Sequence, residues 1–253
     1  MPDMMPFIRR RIVEPLYYLR HGPRLAYARE LERTQFLPHE VLLELQWKRL
    51  SDMLRFAHAH NDFYQRRFEA VGLRPMDIMS PKDMLLLPEL TKQEIRAHIN
   101  EMISDGYRME NLMHFKTGGS TGMAMDIYLT EECSELRNAC ARRHDRWSGW
   151  NPGEPIGAVW GNPVRAVTMK AKLRDWLLNP MIYLDTMQVT DESVRRFARD
   201  WSKLRPTLLY GHAHSLFILA EYIQRLGIDT IRPRGILSTS MMLMPHERRA
   251  IEK

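Results

Sequence analysis

The fold of this chain is decided by residues 190–239, which read TDESVRRFARDWSKLRPTLLYGHAHSLFILAEYIQRLGIDTIRPRGILST. Thr190, Asp191 and Glu192 are typical of a helix start, because a hydroxyl caps the first N–H groups and acids favour the helix dipole. Gly227 is typical of a helix end. The stretch predicts, in order, a helix to about residue 204, a strand at 206–210, a helix at 215–226 and a strand at 235–239. This alternation indicates an α/β fold with a largely parallel sheet.

The sequence before this stretch divides into two parts. Residues 156–160 predict another buried strand, and Thr130 with the two glutamates after it predicts a helix to about residue 147. Residues 39–69 predict a helix, since their apolar residues recur at three- and four-residue steps. We therefore predict a helical N-terminal segment over residues 1–105, packed on a mixed, largely parallel sheet in an α/β portion over residues 106–253.

The end of the sequence falls inside a predicted helix. This helix starts at Pro245 and is still running at Lys253. A chain that stopped there would leave a sheet edge poorly covered. We therefore expect a fragment whose α/β portion is incomplete at the C-terminus.

Composition favours a globular, cytoplasmic protein. Of the 253 residues, 44% are hydrophobic and 27% charged, and no stretch approaches the ~18 apolar residues of a membrane span. The N-terminus lacks the apolar region of a secretory signal. The two cysteines, Cys133 and Cys140, lie about two helical turns apart, which is too far for a disulfide. The net charge of +6 leaves open a patch for an anionic partner, but a solvated helix face is the simpler explanation.

A glycine-rich loop is the strongest chemical motif, Lys116-Thr117-Gly118-Gly119-Ser120-Thr121-Gly122. Strands are predicted on both sides of it, at residues 112–115 and 125–129. Glycines let backbone N–H groups point at an anion, and the hydroxyls and the lysine add further donors. The motif is neither a Walker A loop nor a dinucleotide fingerprint, since both of those open a helix. An ordinary hairpin turn remains the alternative.

Metal ligation and nucleophilic catalysis have weak support. His58 with His60, and His212 with His214, are the H-x-H pairs, but no CxxC accompanies them, so no metal site is predicted. No Gly-x-Ser-x-Gly nucleophile elbow is present. Asp145 has no evident acid partner in the sequence.

An ordered set of motifs resembles the adenylate-forming (AMP-binding) enzymes, in particular the phenylacetate–coenzyme A ligase and capsular-polysaccharide-biosynthesis branch. The loop resembles that family's phosphate loop. Four segments outside the loop resemble the branch's motifs, namely His60-Asn61-Asp62-Phe63-Tyr64 with Arg67-Phe68 and Gly72-Leu73, Leu87-Pro88-Glu89-Leu90-Thr91-Lys92, Ser148-Gly149-Trp150-Asn151-Pro152-Gly153-Glu154 with Trp160-Gly161, and Arg205-Pro206-Thr207 with Tyr210-Gly211. The resemblance covers roughly residues 39–253.

The resemblance implies an acid–thiol ligase that uses ATP and Mg²⁺ to convert a carboxylic acid to an acyl-adenylate, with coenzyme A or another acceptor taking the acyl group. It implies a small-molecule carboxylate as partner, with no nucleic acid and no stable membrane insertion, and it leaves a homodimer open. By resemblance, Lys116 and the loop to Gly122 hold the ATP phosphates. The acyl pocket includes Trp160, Gly161, Tyr210 and His212, and the nucleotide is bordered by Ser238, Thr239 and Ser240.

The chain also departs from the family pattern. Met123-Ala124 follows the loop, and Met241 follows Ser240 of the nucleotide border, where an acid is common. The family's aromatic-Gly-x-Thr-Glu motif, ribose-binding Asp and catalytic Lys lie outside the chain, so we expect it to adenylate poorly alone. Two alternatives stay open. One is a non-catalytic nucleotide-binding relative or structural subunit, and the other is a basic module that uses residues 6–33 to bind a membrane surface or a polyanion.

Overall fold

The computed structural model describes residues 4–117, 124–161 and 167–253. Its α-helices and β-strands are, in chain order, α1 (Met4–Ile8), α2 (Glu14–Tyr18), α3 (Arg24–Thr34), α4 (His39–His60), α5 (Asp62–Ala70), α6 (Lys92–Ala97), β1 (Met113–Lys116), β2 (Asp126–Leu129), α7 (Glu131–Trp147), β3 (Ile156–Trp160), α8 (Met169–Leu178), β4 (Met181–Asp185), α9 (Asp191–Leu204), β5 (Leu208–His212), α10 (Ala213–Leu226), β6 (Gly235–Thr239) and α11 (Pro245–Ile251). A π-helical turn, Arg9–Val13, joins α1 to α2.

The chain packs as two compact units. One unit combines the residues up to Ala28 with Asn138–Lys253, and the other is Arg29–Arg137. The α/β class with a largely parallel sheet is confirmed, since the first unit contains a parallel sheet in the order β4-β3-β5-β6. The antiparallel strands β1 and β2 form a hairpin in the second unit. The domain boundary predicted after residue 105 stays a prediction, because a division into compact units does not show which segments fold independently.

The core of the first unit lies between the sheet and the pair α9 and α10. Helix α9 buries Val194, Phe197, Ala198 and Trp201, whose three- and four-residue steps place them on one helical face. Burying side chains of this size contributes ~1.5–3 kcal/mol each. Gly157 leaves room for this helix, since a Cβ there would lie 2.2 Å from the Trp201 ring. The core therefore requires a glycine within β3.

The first helices belong to this α/β unit as well. Glu14 of α2 accepts two hydrogen bonds from Arg142 of α7, at 3.0 and 2.6 Å. Both side chains are largely buried, with exposures of 5% for Glu14 and 14% for Arg142. The backbone of Gly153 lies so close to Pro6 that a Cβ on Gly153 would be 2.5 Å from the Pro6 carbonyl oxygen. The N-terminal residues are therefore anchored on the unit by charge pairing and by close backbone packing.

In the second unit, the single helix predicted over residues 39–69 is two helices. The break lies at Asn61, which has an extended backbone and accepts a hydrogen bond from the Tyr64 N–H, so it caps α5. Its side-chain amide also donates to the Met102 carbonyl at 2.8 Å. Apolar periodicity continues through such a break, because the cap changes the backbone without removing the apolar residues on either side. The cap therefore sets the boundary that periodicity alone did not reveal.

Candidate functional site

The strand order creates a switch point between β3 and β5. From β3 the chain moves outward to β4, and it then returns past β3 to β5 and continues to β6. In open α/β sheets, ligands bind outside the carboxyl ends of the strands at the point where the direction of winding changes. The residues at the carboxyl ends of β3 and β5 therefore form the candidate site.

An aromatic cluster occupies these two strand ends. Trp160 ends β3, and Tyr210 and His212 end β5. The Trp160 and Tyr210 rings are stacked, with centroids 5.3 Å apart, and the Trp160 and His212 ring centroids are 3.9 Å apart. All three residues are half-buried. The structure thus brings together three of the four residues expected for the acyl pocket, with aromatic faces and one imidazole.

Two glycines have close neighbours at this point. A Cβ on Gly211 would lie 2.7 Å from the Val159 carbonyl oxygen, closer than real contacts allow. A Cβ on Gly161, the fourth expected pocket residue, would lie 3.3 Å from the Thr186 hydroxyl. Gly211 therefore allows β5 to approach β3 closely, whereas a Cβ at Gly161 would require the neighbouring side chains to shift only slightly.

Asp145 of α7, which the motifs did not place at the site, lies near enough to Tyr210 for its charge to act on the Tyr210 hydroxyl. Burial raises the pKa of this carboxyl to about 6, and Arg142 opposes the rise. Burial also raises the pKa of the Tyr210 hydroxyl, and the charge of Asp145 raises it further. An acid whose pKa is raised to about 6 therefore lies in the neighbourhood of Tyr210. No motif in the sequence marked Asp145, because its environment is formed by tertiary packing.

The expected nucleotide border lies on β6, beside the cluster. Thr239 is opposite His212 in the parallel register, and Ser238 is opposite Gly211. Ser240 follows the strand with a φ of 67°, a left-handed conformation in which the chain turns away. The hydroxyls are thus at the carboxyl edge of the sheet, and their contact with a nucleotide stays a prediction.

The two histidines at the end of β5 have different partners. His214 Nδ1 lies 2.9 Å from a Glu247 carboxylate oxygen, whereas His212 contacts Trp160. Hydrogen bonding, first from the Met244 N–H and then from His214, lowers the pKa of Glu247. No group of three or more metal-ligating side chains occurs in the described ranges 4–117, 124–161 and 167–253.

The hairpin expected to carry the phosphate loop belongs to the second unit. Residues 118–122 of the predicted loop lie outside the described residues, so their phosphate contacts stay a prediction. On the strands, Lys116 pairs with Asp126, and Thr117 donates its N–H to the Met125 carbonyl at 2.9 Å. The Thr117 hydroxyl accepts from the Met125 N–H, also at 2.9 Å. Thr117 therefore closes the base of the hairpin in addition to its expected role with phosphate.

Lys116 has a carboxylate neighbour in this hairpin. Its Nζ lies 3.7 Å from an Asp126 oxygen, which is also 2.6 Å from His114 Nε2. The hydrogen bond from His114, followed by the charge of Lys116, lowers the pKa of Asp126. Exposed pairs of this kind contribute little to stability. The lysine can therefore leave Asp126 for a more highly charged anion at small cost.

No protein-family model matches the chain. Protein CapK from Staphylococcus aureus is 23% identical over 255 residues, which covers 99% of this chain and 54% of that protein. A crystal structure of 2-hydroxyisobutyryl-CoA ligase with 2-HIB-AMP and CoA in the thioesterification state superposes with a TM-score of 0.63 and 18% identity, covering 85% of this chain and 47% of the ligase. An open conformation of that ligase with the same ligands gives 0.59 and 17%, over 81% of this chain and 46% of the ligase.

The chain thus spans about half the length of the curated relative and of the solved structures that it matches. Over most of its own length it has the fold of acyl-CoA ligases. Together with the similarity to CapK, this fold confirms the resemblance to adenylate-forming enzymes of the ligase and capsular-polysaccharide type that the sequence motifs indicated.

Proposed function

We propose that the protein activates a carboxylic acid with ATP, forming an acyl-adenylate, and passes the acyl group to coenzyme A or another acceptor. The observation that carries this proposal is the aromatic cluster of Trp160, Tyr210 and His212 at the switch point of the sheet. The chain has the fold of ligases whose structures were solved with an acyl-adenylate and CoA. The proposal concerns the activity of the whole protein, of which this chain corresponds to about half of the relatives' length.

The described residues fit the acyl and adenylate part of such a site. We assign the acyl group to the cluster at Trp160, Tyr210 and His212, with Gly161 beside it. Half-buried aromatic side chains are suited to hold an apolar group while water is excluded. The hydroxyls of Ser238, Thr239 and Ser240 would meet the nucleotide. When bound, Mg²⁺ would neutralise the phosphates as the carboxylate attacks the α-phosphate.

We assign the ATP phosphates to the loop from Thr117 to Gly122, with Lys116 adding positive charge. The support is the loop's composition and its position between the antiparallel strands β1 and β2. The chemistry expected of this site is mainly positioning and charge neutralisation, as in other phosphoryl and nucleotidyl transfers. No side chain of this chain is assigned as the catalytic lysine.

The proposal is tested by pyrophosphate release from the whole protein with ATP, Mg²⁺ and a panel of aryl, aliphatic and hydroxy acids. Trp160→Leu should raise the KM of an accepted acid about fivefold, since an aromatic contact of this kind contributes ~1 kcal/mol. Trp147→Leu is the matched control, because Trp147 is exposed on α7. If no acid in the panel supports pyrophosphate release, the activity we propose is wrong.

A nucleotide-binding relative without catalytic activity is the second candidate. Met241 and Met242 are exposed directly after β6, where the family often has an acid. Isothermal titration of ATP–Mg²⁺ distinguishes the two candidates when combined with the pyrophosphate assay. ATP binding that Gly119→Val abolishes, without pyrophosphate release from the whole protein, would favour this candidate over the ligase.

A further inference from the structure

The N-terminal helical segment, residues 4–19, has its polar and apolar residues in unusual places. Arg9 and Glu14 are buried. In contrast, the apolar side chains Phe7, Leu16 and Leu19 are 57%, 62% and 80% exposed. A helix that packs on a globular protein normally buries its apolar residues and exposes its charges. Met5, Ile8 and Val13 are partly buried, whereas these exposed apolar residues do not serve the core of the unit.

The exposed apolar residues follow the turns of the segment. They are Met4, Phe7, Ile12, Leu16 and Leu19, with steps of three, five, four and three residues. The step of five spans the π turn Arg9–Val13. A π turn has hydrogen bonds from residue i to i+5, so one extra residue is accommodated there. The π turn therefore keeps the series in phase along one side of the segment.

Helix α8, which packs beside the segment, has exposed apolar residues of its own. It packs against the π turn, and the Arg9 guanidinium lies 5.3 Å from the centre of the Trp176 ring. Trp176 is 50% exposed, and Leu173 and Met169 of the same helix are also exposed. We call the exposed apolar residues of the segment and of α8 the N-terminal apolar surface.

Positive charge surrounds this surface. Arg10 and Arg11 are exposed on the segment, Arg20 is exposed directly after it, and Lys170 and Lys172 are exposed on α8. In residues 4–29 the sequence has a single acid, Glu14, which is buried and paired with Arg142. Apolar side chains with Trp and Phe, bordered by cations, are the features that bind a helix into the interface of an anionic membrane.

We infer that the N-terminal apolar surface binds an anionic lipid bilayer, with residues 4–19 lying in the plane of the headgroups. The charge complementarity selects a lipid surface over a neutral apolar partner. In the described part of the chain, no helix has the length and apolar character needed to cross a bilayer. Binding at the surface is therefore the mode that this inference requires, and it is independent of the proposed ligase activity.

The test is co-sedimentation of the purified chain with vesicles of phosphatidylcholine alone and of phosphatidylcholine mixed with phosphatidylglycerol. We expect binding to the mixed vesicles that falls as salt is raised, since salt screens the attraction. Arg10→Gln with Arg11→Gln should weaken it about 30-fold, since each cation contributes ~1 kcal/mol at an anionic surface. Phe7→Ser with Leu16→Ser should weaken it at least about tenfold.

Matched controls come from the second unit. Leu85→Ser removes an apolar side chain that is 86% exposed, and Arg108→Gln removes an exposed charge. Circular dichroism checks that each variant is folded. The inference is overturned if the native chain does not sediment with the mixed vesicles, or if the control variants weaken binding as much as the others. It is also overturned if Phe7→Ser with Leu16→Ser dissociates a dimer in gel filtration while lipid binding is unchanged, because a second copy would then be the partner.

Discussion

Asp145→Asn should stabilise the protein at neutral pH. Burial raises the pKa of this carboxyl from 3.8 to about 6 in the folded state. This pKa difference, at ~1.4 kcal/mol for each pKa unit, sets an upper limit of ~3 kcal/mol on the gain in unfolding free energy from the substitution. Because the side chain is only half-buried, solvent screening reduces the expected gain to ~1–1.5 kcal/mol. Asparagine has nearly the same shape and does not ionise, so it removes the cost of burying the charge.

The sign of the pH dependence follows from linkage. The folded state holds this proton more tightly than the unfolded state, so the contribution of Asp145 is most favourable below pH 4, falls between about pH 4 and pH 6, and is constant above that range. Urea unfolding of both proteins from pH 4 to pH 8 measures this contribution. The stability of Asp145→Asn relative to the native chain should rise over that range. Asp229→Asn, an exposed position, is the control. A difference that does not change with pH, or a variant less stable at pH 8, would refute the reasoning.

Two further predictions concern the packing of the α/β unit. Glu14→Gln should destabilise the protein by ~2–4 kcal/mol in urea unfolding, because it leaves the charge of Arg142 largely buried without its partner. The control Glu252→Gln breaks an exposed pair and should cost less than ~1 kcal/mol. Gly211→Ala should lower the melting temperature and cost ~1–3 kcal/mol, because its methyl group would overlap the Val159 carbonyl. An unchanged melting temperature in this variant would show that the strands can move apart freely.

The elements with strong local signals were predicted well from the sequence. Strands β3 and β6 have the predicted bounds, and α9 begins at its predicted cap, Thr190. Local chemistry determines these features, since cap residues and apolar runs mark them. The predicted strand at 206–210 is observed two residues later, at Leu208–His212, because Pro206 and Thr207 form the approach to the sheet.

Helix α8 and strand β4 were not predicted. The place of strand β4 at the edge of the sheet depends on pairing with β3. The candidate site likewise includes features that depend on tertiary packing. Trp160, Tyr210 and His212 were named from motifs, and the structure brings them together. Asp145 lies on α7, a different element from all of them, so its raised pKa could be recognised only after folding placed it near Tyr210.

The α/β unit is discontinuous along the chain, and this has a consequence for folding. Its first 28 residues are separated from the rest by the whole second unit, Arg29–Arg137. During synthesis, Glu14 therefore emerges long before Arg142, its partner in the folded unit. Closing a loop of this length costs conformational entropy that early local contacts do not repay. Docking of the N-terminal segment should consequently be a late step in folding, so a chaperone or a lipid surface could hold the segment until α7 has formed.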